Sequence, residues 1–270
     1  MPVSFPAVFD PDQTLDCGQS FRWKKEGARW QGVAFGRELS LYREGDSLIF
    51  SCNQEEFDSL WRRYFDLDTD YEAIRRELSA MHPVLQEACA YAGGIRLLRQ
   101  DSWEALCSFI ISQNNNIPRI KGIIQRLCET LGEPSPQGEF LFPTPQRLAA
   151  SSLEELAPLR AGFRAKYLLS AARLVTDGAV DLGAIPHMEL DKARETLMRI
   201  HGVGPKVAEC ALLYGFHRLE AFPLDVWMKR VMANWFPGWK PEDFGPYAGV
   251  AQQYLFHYIR TFHKGGYLNG

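Results

Sequence analysis

Residues 192–226 read KARETLMRIHGVGPKVAECALLYGFHRLEAFPLDV and hold a lysine, a cysteine and an aspartate whose placement points to chemistry. Pro205 opens a helical pattern through Val207, Ala208, Ala211 and Leu212, which makes Lys206 its second residue. A cation at a helix N-terminus opposes the helix dipole, and the same field favours the neutral amine, the form that acts as a nucleophile. Cys210 lies one turn on, on the face of Lys206. Asp225 follows within Pro223-Leu224-Asp225-Val226, at the start of a further helical pattern, and a carboxylate there can stabilise positive charge that builds up on a substrate. Taken singly, Lys206 reads as a solvated phosphate contact and Asp225 as an N-cap. Together, behind a glycine turn, they favour chemistry.

The elements that position them form a hairpin. Leu197 and Ile200 end one helical pattern, Gly202-Val203-Gly204 makes the turn, and the second helix follows, so a helix-hairpin-helix spans about 193–216. Glycine at both turn positions permits positive φ and close backbone approach. The free N–H groups at the head of the second helix form a seat for a phosphate.

The remaining chain divides by period. Up to residue 95, β-rich runs at Trp30–Phe35, Leu39–Tyr42 and Ser47–Cys52 are separated by glycine turns, and a helical stretch with Phe57, Leu60, Trp61 and Tyr64 on one face follows. From residue 96 the pattern is helical, with Trp103, Leu106, Cys107, Ile110 and Ile111 in register, a loop at Gly132–Pro145, and a run through Leu148, Leu153 and Leu156. Val226–Trp235 and Tyr247–Phe256 read as two final helices.

At 270 residues with 46% hydrophobic and 23% charged content, the chain can bury a full core. No apolar run reaches the length of a membrane span, and the N-terminus lacks the order of a signal peptide, so an intracellular place is expected: cytoplasm or nucleoid, or a nucleus. The net charge of −3 gives no bulk attraction to nucleic acid, so any binding depends on local lysines and arginines. Six cysteines without CxxC spacing suggest neither a zinc site nor a disulfide framework.

Four further segments carry two readings each. GQSFRW (18–23) is a turn leading into a strand. QNNNIPRI (113–120) is a polar loop, since three consecutive asparagines compete with the backbone for hydrogen bonds. In RAGFRAKY (160–167), Phe163 between basic residues is either core or a wedge for a base stack. In YAGVAQQYLF (247–256), Gln252 and Phe256 share a helix face, either as cap and core or as the amide and ring of a base pocket.

In chain order, GQSFRW, QNNNIPRI, GFRAKY, GVGPK, PLDV and YAGVAQ resemble the helix-hairpin-helix (HhH-GPD) DNA glycosylases, and among them the 8-oxoguanine DNA glycosylase/AP lyases. The resemblance implies an α+β, mainly α, fold: an antiparallel, TATA-binding-protein-like β domain (1–95) packed on an all-helical HhH-GPD core (96–270). It implies excision of 8-oxoguanine opposite cytosine from double-stranded DNA by a monomer. Lys206 would form a Schiff base at C1′ that permits β-elimination, and Asp225 would assist. The Gly18 carbonyl would accept from N7–H of the lesion. Cys210 and Phe256 would wall the base, with Gln252 on its Watson–Crick edge. Asn114 would fill the vacated stack, Phe163 would wedge beside it, and Arg119 and Arg164 would hold the orphaned cytosine. The N–H groups at Gly202 and Gly204 would grip a phosphate. Backbone carbonyls of Met198, Ile200 and Val203 would hold a structural cation.

The resemblance implies no other cofactor. Nothing after Cys210 could ligate the iron–sulfur cluster of some superfamily members. Four positions depart from the pattern: Gln113, Pro118, Phe163, which stands where the family has Tyr, and Trp227, where many members have a phosphate-contacting His. Two alternatives stay open, a monofunctional alkylated-base glycosylase, which has no lysine at position 206, and a non-catalytic DNA-binding module.

Overall fold

The computed structural model describes residues 1–136 and 138–263. Five strands, β1 (Val3–Pro6), β2 (Trp23–Glu26), β3 (Arg29–Ala34), β4 (Arg37–Glu44) and β5 (Ser47–Phe50), form one antiparallel sheet in the order β1-β5-β4-β3-β2. A short helix, α1 (Pro11–Leu15), separates β1 from β2. Period-2 patterning puts Leu39, Leu41, Leu48 and Phe50 on the buried face. The three runs anticipated from sequence are β3, β4 and β5. The edge strand β1 had no such signal, because four residues ending in Pro6 become a strand only by pairing with β5.

Helical turns α2 (Gln54–Glu56) and α3 (Arg62–Tyr64), joined by a π-helical turn at Phe57–Trp61, cover that face with aromatic rings. Trp23 is fully buried there and its indole N–H donates to the Tyr64 hydroxyl at 2.8 Å. Its ring lies 2.3 Å from where a Cβ at position 32 would sit, so β3 carries glycine beneath it.

Helices α4 (Tyr71–Met81) and α5 (Pro83–Ala92) precede residue 95, yet they bury Tyr71, Ile74, Leu78, Leu85 and Ala88 in the larger, helical core. That core is completed by α6 (Ser102–Ser112), α7 (Ile117–Leu131), α8 (Pro145–Ala149), α9 (Arg164–Thr176), α10 (Leu190–Met198), α11 (Pro205–Gly215), α12 (Val226–Trp235) and α13 (Ala248–His263). Helix α6 is apolar on every side and buried from Ala105 to Ile111, as befits a central helix. The helical run expected through Leu156 stops at Ala149, and Leu153 is exposed; past the end of the helix the Ser151 hydroxyl donates to the Arg147 carbonyl at 3.1 Å. Among the described residues no helix is long and apolar enough to cross a membrane.

Two buried polar clusters join the sheet layer to the helices. Asp66 accepts from Arg99 Nε at 2.8 Å, Thr69 Oγ1 at 2.9 Å and Tyr71 Oη at 3.0 Å, and lies 3.3 Å from His217 Nε2, just beyond the end of α11. Burial alone would raise its carboxyl, but the histidine and the Arg99 guanidinium outweigh it and hold Asp66 well below the usual carboxylate range. The second cluster pairs Arg22, from GQSFRW, with Glu104 in the first turn of α6 at 3.5 Å. Here burial wins: it pushes the Glu104 carboxyl up to about 7, and the guanidinium offsets only part of the shift.

This sets a pH signature. A carboxyl whose folded value lies above its unfolded one binds more protons when folded, so it favours the fold at low pH and loses that contribution as pH rises toward 7. Glu104→Gln removes the term. The stability of the variant relative to the wild type, from urea midpoints, is expected to rise by about 2 kcal/mol between pH 5 and pH 8. A difference that does not change with pH would mean that Glu104 is ionised throughout.

Candidate active site

Lys206 occupies the second position of α11, as its sequence context suggests, and its side chain is half-buried. Its amine donates to Ser112 Oγ at 3.4 Å and sits 5.6 Å from the centroid of the Phe109 ring. Among the described residues no carboxylate lies within ion-pair distance of it. Cys210 is buried one turn below. Burial pushes its thiol up, the Lys206 charge and hydrogen bond partly pull it back, and Asp225 and Glu209 add to the rise. The fields of Lys206 and Asp225 therefore meet at Cys210. Asp225 caps α12, its Oδ1 accepting from Met228 N–H at 2.8 Å, while Oδ2 has no donor among the described residues. It is an N-cap with one oxygen left over.

In the hairpin turn, Gly202 has φ +86°, and the Tyr167 ring packs 2.2–2.5 Å from where its Cβ would be, so only glycine fits. Gly204 differs from expectation: its φ of −95° with ψ −179° is extended backbone open to any residue. No side chain caps the first turn of α11. Met198, Ile200 and Val203 lie on this turn, with the Ile200 carbonyl accepting from Val203 N–H at 2.9 Å. Among the described residues no cluster of acidic, histidine or cysteine side chains is arranged to hold a metal.

Gly18 has φ +90°, and the space beside its Cα faces the Phe256 ring edge. No donor among the described residues bonds to its carbonyl. Two residues that the sequence reading passed over hold it in place. Gln19 is fully buried, with its amide donating to the Thr14 and Arg96 carbonyls (2.9 and 2.8 Å) and accepting from Leu98 N–H (2.9 Å). Gln253 donates to the Cys17 carbonyl at 3.4 Å and accepts from the Tyr214 hydroxyl. Gln252 is 4% exposed, with its Oε1 3.5 Å from the same hydroxyl, and Phe256 is half-buried. Gly18, Gln252 and Phe256 thus converge where α13 meets GQSFRW.

The three asparagines divide the work of their loop. Asn115 donates to the Ile111 carbonyl at 3.1 Å and closes α6, and Asn116 caps α7 by accepting from Arg119 N–H at 3.0 Å. Asn114, with φ +45°, is exposed and bonds to neither helix through its side chain. Arg119 is exposed one turn along. Across from them Phe163 is 49% exposed at the head of α9. Trp227 is also exposed at the start of α12, with Arg230 over its ring at 5.4 Å.

Arg164 is buried among carbonyls: Nε donates to the Gln113 carbonyl at 2.8 Å, Nη1 to Ala161 at 3.2 Å, and Nη2 to Asn114 at 2.9 Å and again to Gln113. Its guanidinium also lies 4.4 Å from the Phe163 ring centroid. A guanidinium has five donors, and four of its bonds go to carbonyls, so Arg164 fixes the Asn114 loop relative to Phe163. Glu209 was missed as well. Buried on α11, it pairs with Arg194 of α10 and accepts from Phe222 N–H at 2.8 Å, ahead of Asp225. An acid between Ala208 and Cys210, on the apolar face of the helix, was the available signal.

Comparison with known proteins identifies the family. Residues 3–106 match the model of the 8-oxoguanine DNA glycosylase N-terminal domain, and residues 107–243 that of the HhH-GPD superfamily base excision DNA repair proteins. A probable N-glycosylase/DNA lyase of Methanothermobacter thermautotrophicus is 35% identical over 73% of this chain and 72% of its own. The N-glycosylase/DNA lyase OGG1 of Arabidopsis thaliana is 29% identical over 90% and 75%. The structure of the Clostridium acetobutylicum 8-oxoguanine glycosylase/lyase, bound to double-stranded DNA with cytosine opposite 8-oxoguanine, superposes with a TM-score of 0.90 at 34% identity, covering 97% of this chain and 98% of that one. The chain belongs to the HhH-GPD superfamily of base excision DNA repair proteins and carries the N-terminal domain of the 8-oxoguanine DNA glycosylases.

Proposed function

We propose that the protein excises 8-oxoguanine opposite cytosine from duplex DNA and then cleaves the strand as an AP lyase. The observation that carries this reading is the Lys206 amine at the head of α11, next to Cys210 and without a carboxylate partner among the described residues. Its unprotonated lone pair attacks C1′ of the extruded nucleotide. The N-glycosidic bond breaks, its electrons leave with N9 of the base, and the base takes up a proton. Ring opening then gives a protonated Schiff base. Loss of a C2′ proton breaks the C3′–O bond and releases the 3′ phosphate. Asp225 stabilises the positive charge on the sugar through the carboxylate oxygen that is not capping α12.

Cys210 and Phe256 form the walls of the base pocket, Gln252 holds the Watson–Crick edge, and the Gly18 carbonyl accepts from N7–H. Guanine presents a bare acceptor at N7 and is repelled. Asn114 and Phe163 fill and wedge the stack, and Arg119 takes the orphaned cytosine. The N–H groups at Gly202 and Gly204 receive a phosphate, with the carbonyls of Met198, Ile200 and Val203 available to a bridging cation. The chemistry needs no further cofactor, and the protein acts as a monomer within the cell, on nucleoid or nuclear DNA.

Borohydride reduction in the presence of 8-oxoguanine duplex is expected to yield one covalent adduct, mapping to Lys206. Lys206→Gln should abolish both adduct and strand cleavage while retaining duplex binding. Cleavage by that variant at the wild-type rate would rule out the nucleophile. An alkylated-base glycosylase or a binding module would give no adduct in the first place.

Arg164→Met keeps the buried volume and leaves the loop carbonyls without donors. Single-turnover excision is expected to fall about tenfold, with the preference for cytosine over adenine opposite the lesion narrowed. Unchanged selectivity would show that Asn114 keeps its place unaided.

A further inference from the structure

Gln252, Phe256 and Arg260 follow one another at intervals of four residues along a single face of α13. The ridge rises from the buried amide, through the half-buried ring, to a half-buried guanidinium. Arg260 lies over Phe256, its guanidinium carbon 5.4 Å from the ring centroid. Its Nη1 is 3.6 Å from the point where a Gly18 side chain would begin, and Phe256 Cε1 is 3.8 Å from the same point. Among the described residues Arg260 forms no hydrogen bond and no ion pair. A fork of donors thus stands, unspent, beside the backbone residue assigned to lesion reading.

Oxidation marks guanine at two adjacent atoms. N7 gains a proton, and C8–H becomes a carbonyl. A base lying on Phe256 with its Watson–Crick edge at Gln252 turns the opposite edge toward Gly18 and Arg260. Each step of four residues advances about 6 Å along the helix, which sets the two polar ends of the ridge on either side of the ring. We infer that Arg260 reads the second mark: its guanidinium donates to O8 of the extruded base while the Gly18 carbonyl accepts from N7–H. This rests on the proposed excision of 8-oxoguanine. With guanine in the pocket the guanidinium would face C–H, a desolvated donor without an acceptor, so the same residue rewards the lesion and penalises the normal base.

The test uses three non-cleavable duplexes, each with cytosine opposite: 2′-fluoro-8-oxoguanosine, 2′-fluoroguanosine, and a tetrahydrofuran abasic analogue. Dissociation constants are measured for the wild type, Arg260→Leu and Arg260→Lys. Arg260→Leu is expected to weaken binding of the 8-oxoguanine duplex about tenfold or more, as for a lost charge-assisted hydrogen bond, to leave the abasic duplex unchanged, and to tighten the guanine duplex, which no longer faces an unpaired donor. Arg260→Lys should recover part of the loss. Equal weakening on all three, with a shallower salt dependence and full rescue by lysine, would make Arg260 a phosphate contact and overturn the inference. So would wild-type binding by Arg260→Leu on every duplex. A wild type that does not prefer the 8-oxoguanine duplex over guanine would sink the excision reading itself, a result distinct from either of these.

Discussion

One buried carboxylate sets the geometry on which the site depends. Glu209 holds Arg194 with one oxygen and the Phe222 N–H with the other. It sits on the helix that begins with Lys206, its arginine partner sits on the preceding helix of the hairpin, and Phe222 lies three residues before Asp225. Through a single side chain the proposed nucleophile Lys206, the hairpin turn and the approach to Asp225 are fixed in one frame. A buried ion pair adds little net stability when both charges are desolvated. Its worth here is geometric, because an amine and a carboxylate proposed to serve one carbon must keep their spacing.

The same division between groups that act and groups that hold recurs around the site. Two of three asparagines cap helices and the third is left exposed; of the two adjacent glutamines on α13, Gln253 ties down the turn before Gly18 while Gln252 has, among the described residues, only the Tyr214 hydroxyl beside it, 3.5 Å away. Gln19, next to Gly18, spends its whole amide on backbone groups. Asn114 and Gln252 each have an adjacent residue of the same type devoted to holding the surrounding backbone. That arrangement explains why short polar motifs of this kind look like loops when read alone.

Much of this could be seen in the sequence. Lys206 and Asp225 were visible because a lysine at a helix head and an aspartate before a helix have few purposes together, and the helical core because its apolar period is strong. Gly18 could be assigned only through resemblance, since a backbone carbonyl leaves no trace in residue type. The holding role of Arg164 was not legible for a physical reason: nothing local tells that the Gln113 and Asn114 carbonyls, some fifty residues earlier, will take up its donors. Strand β1 and the second turn glycine failed similarly, one being made by tertiary pairing and the other by a backbone angle that the turn did not need.

Tyr167 presses its ring flat against the backbone of Gly202, and its edge meets both Phe163 and His201, with centroids 5.5 and 5.0 Å away. Such a contact has no slack, since close-packed atoms transmit displacement and do not absorb it. The tip that would pry between bases and the loop that would hold the sugar–phosphate chain are thereby two ends of one lever. On the proposed roles, intrusion into the helix and purchase on its backbone would become a single mechanical event, with a damaged nucleotide tested under load.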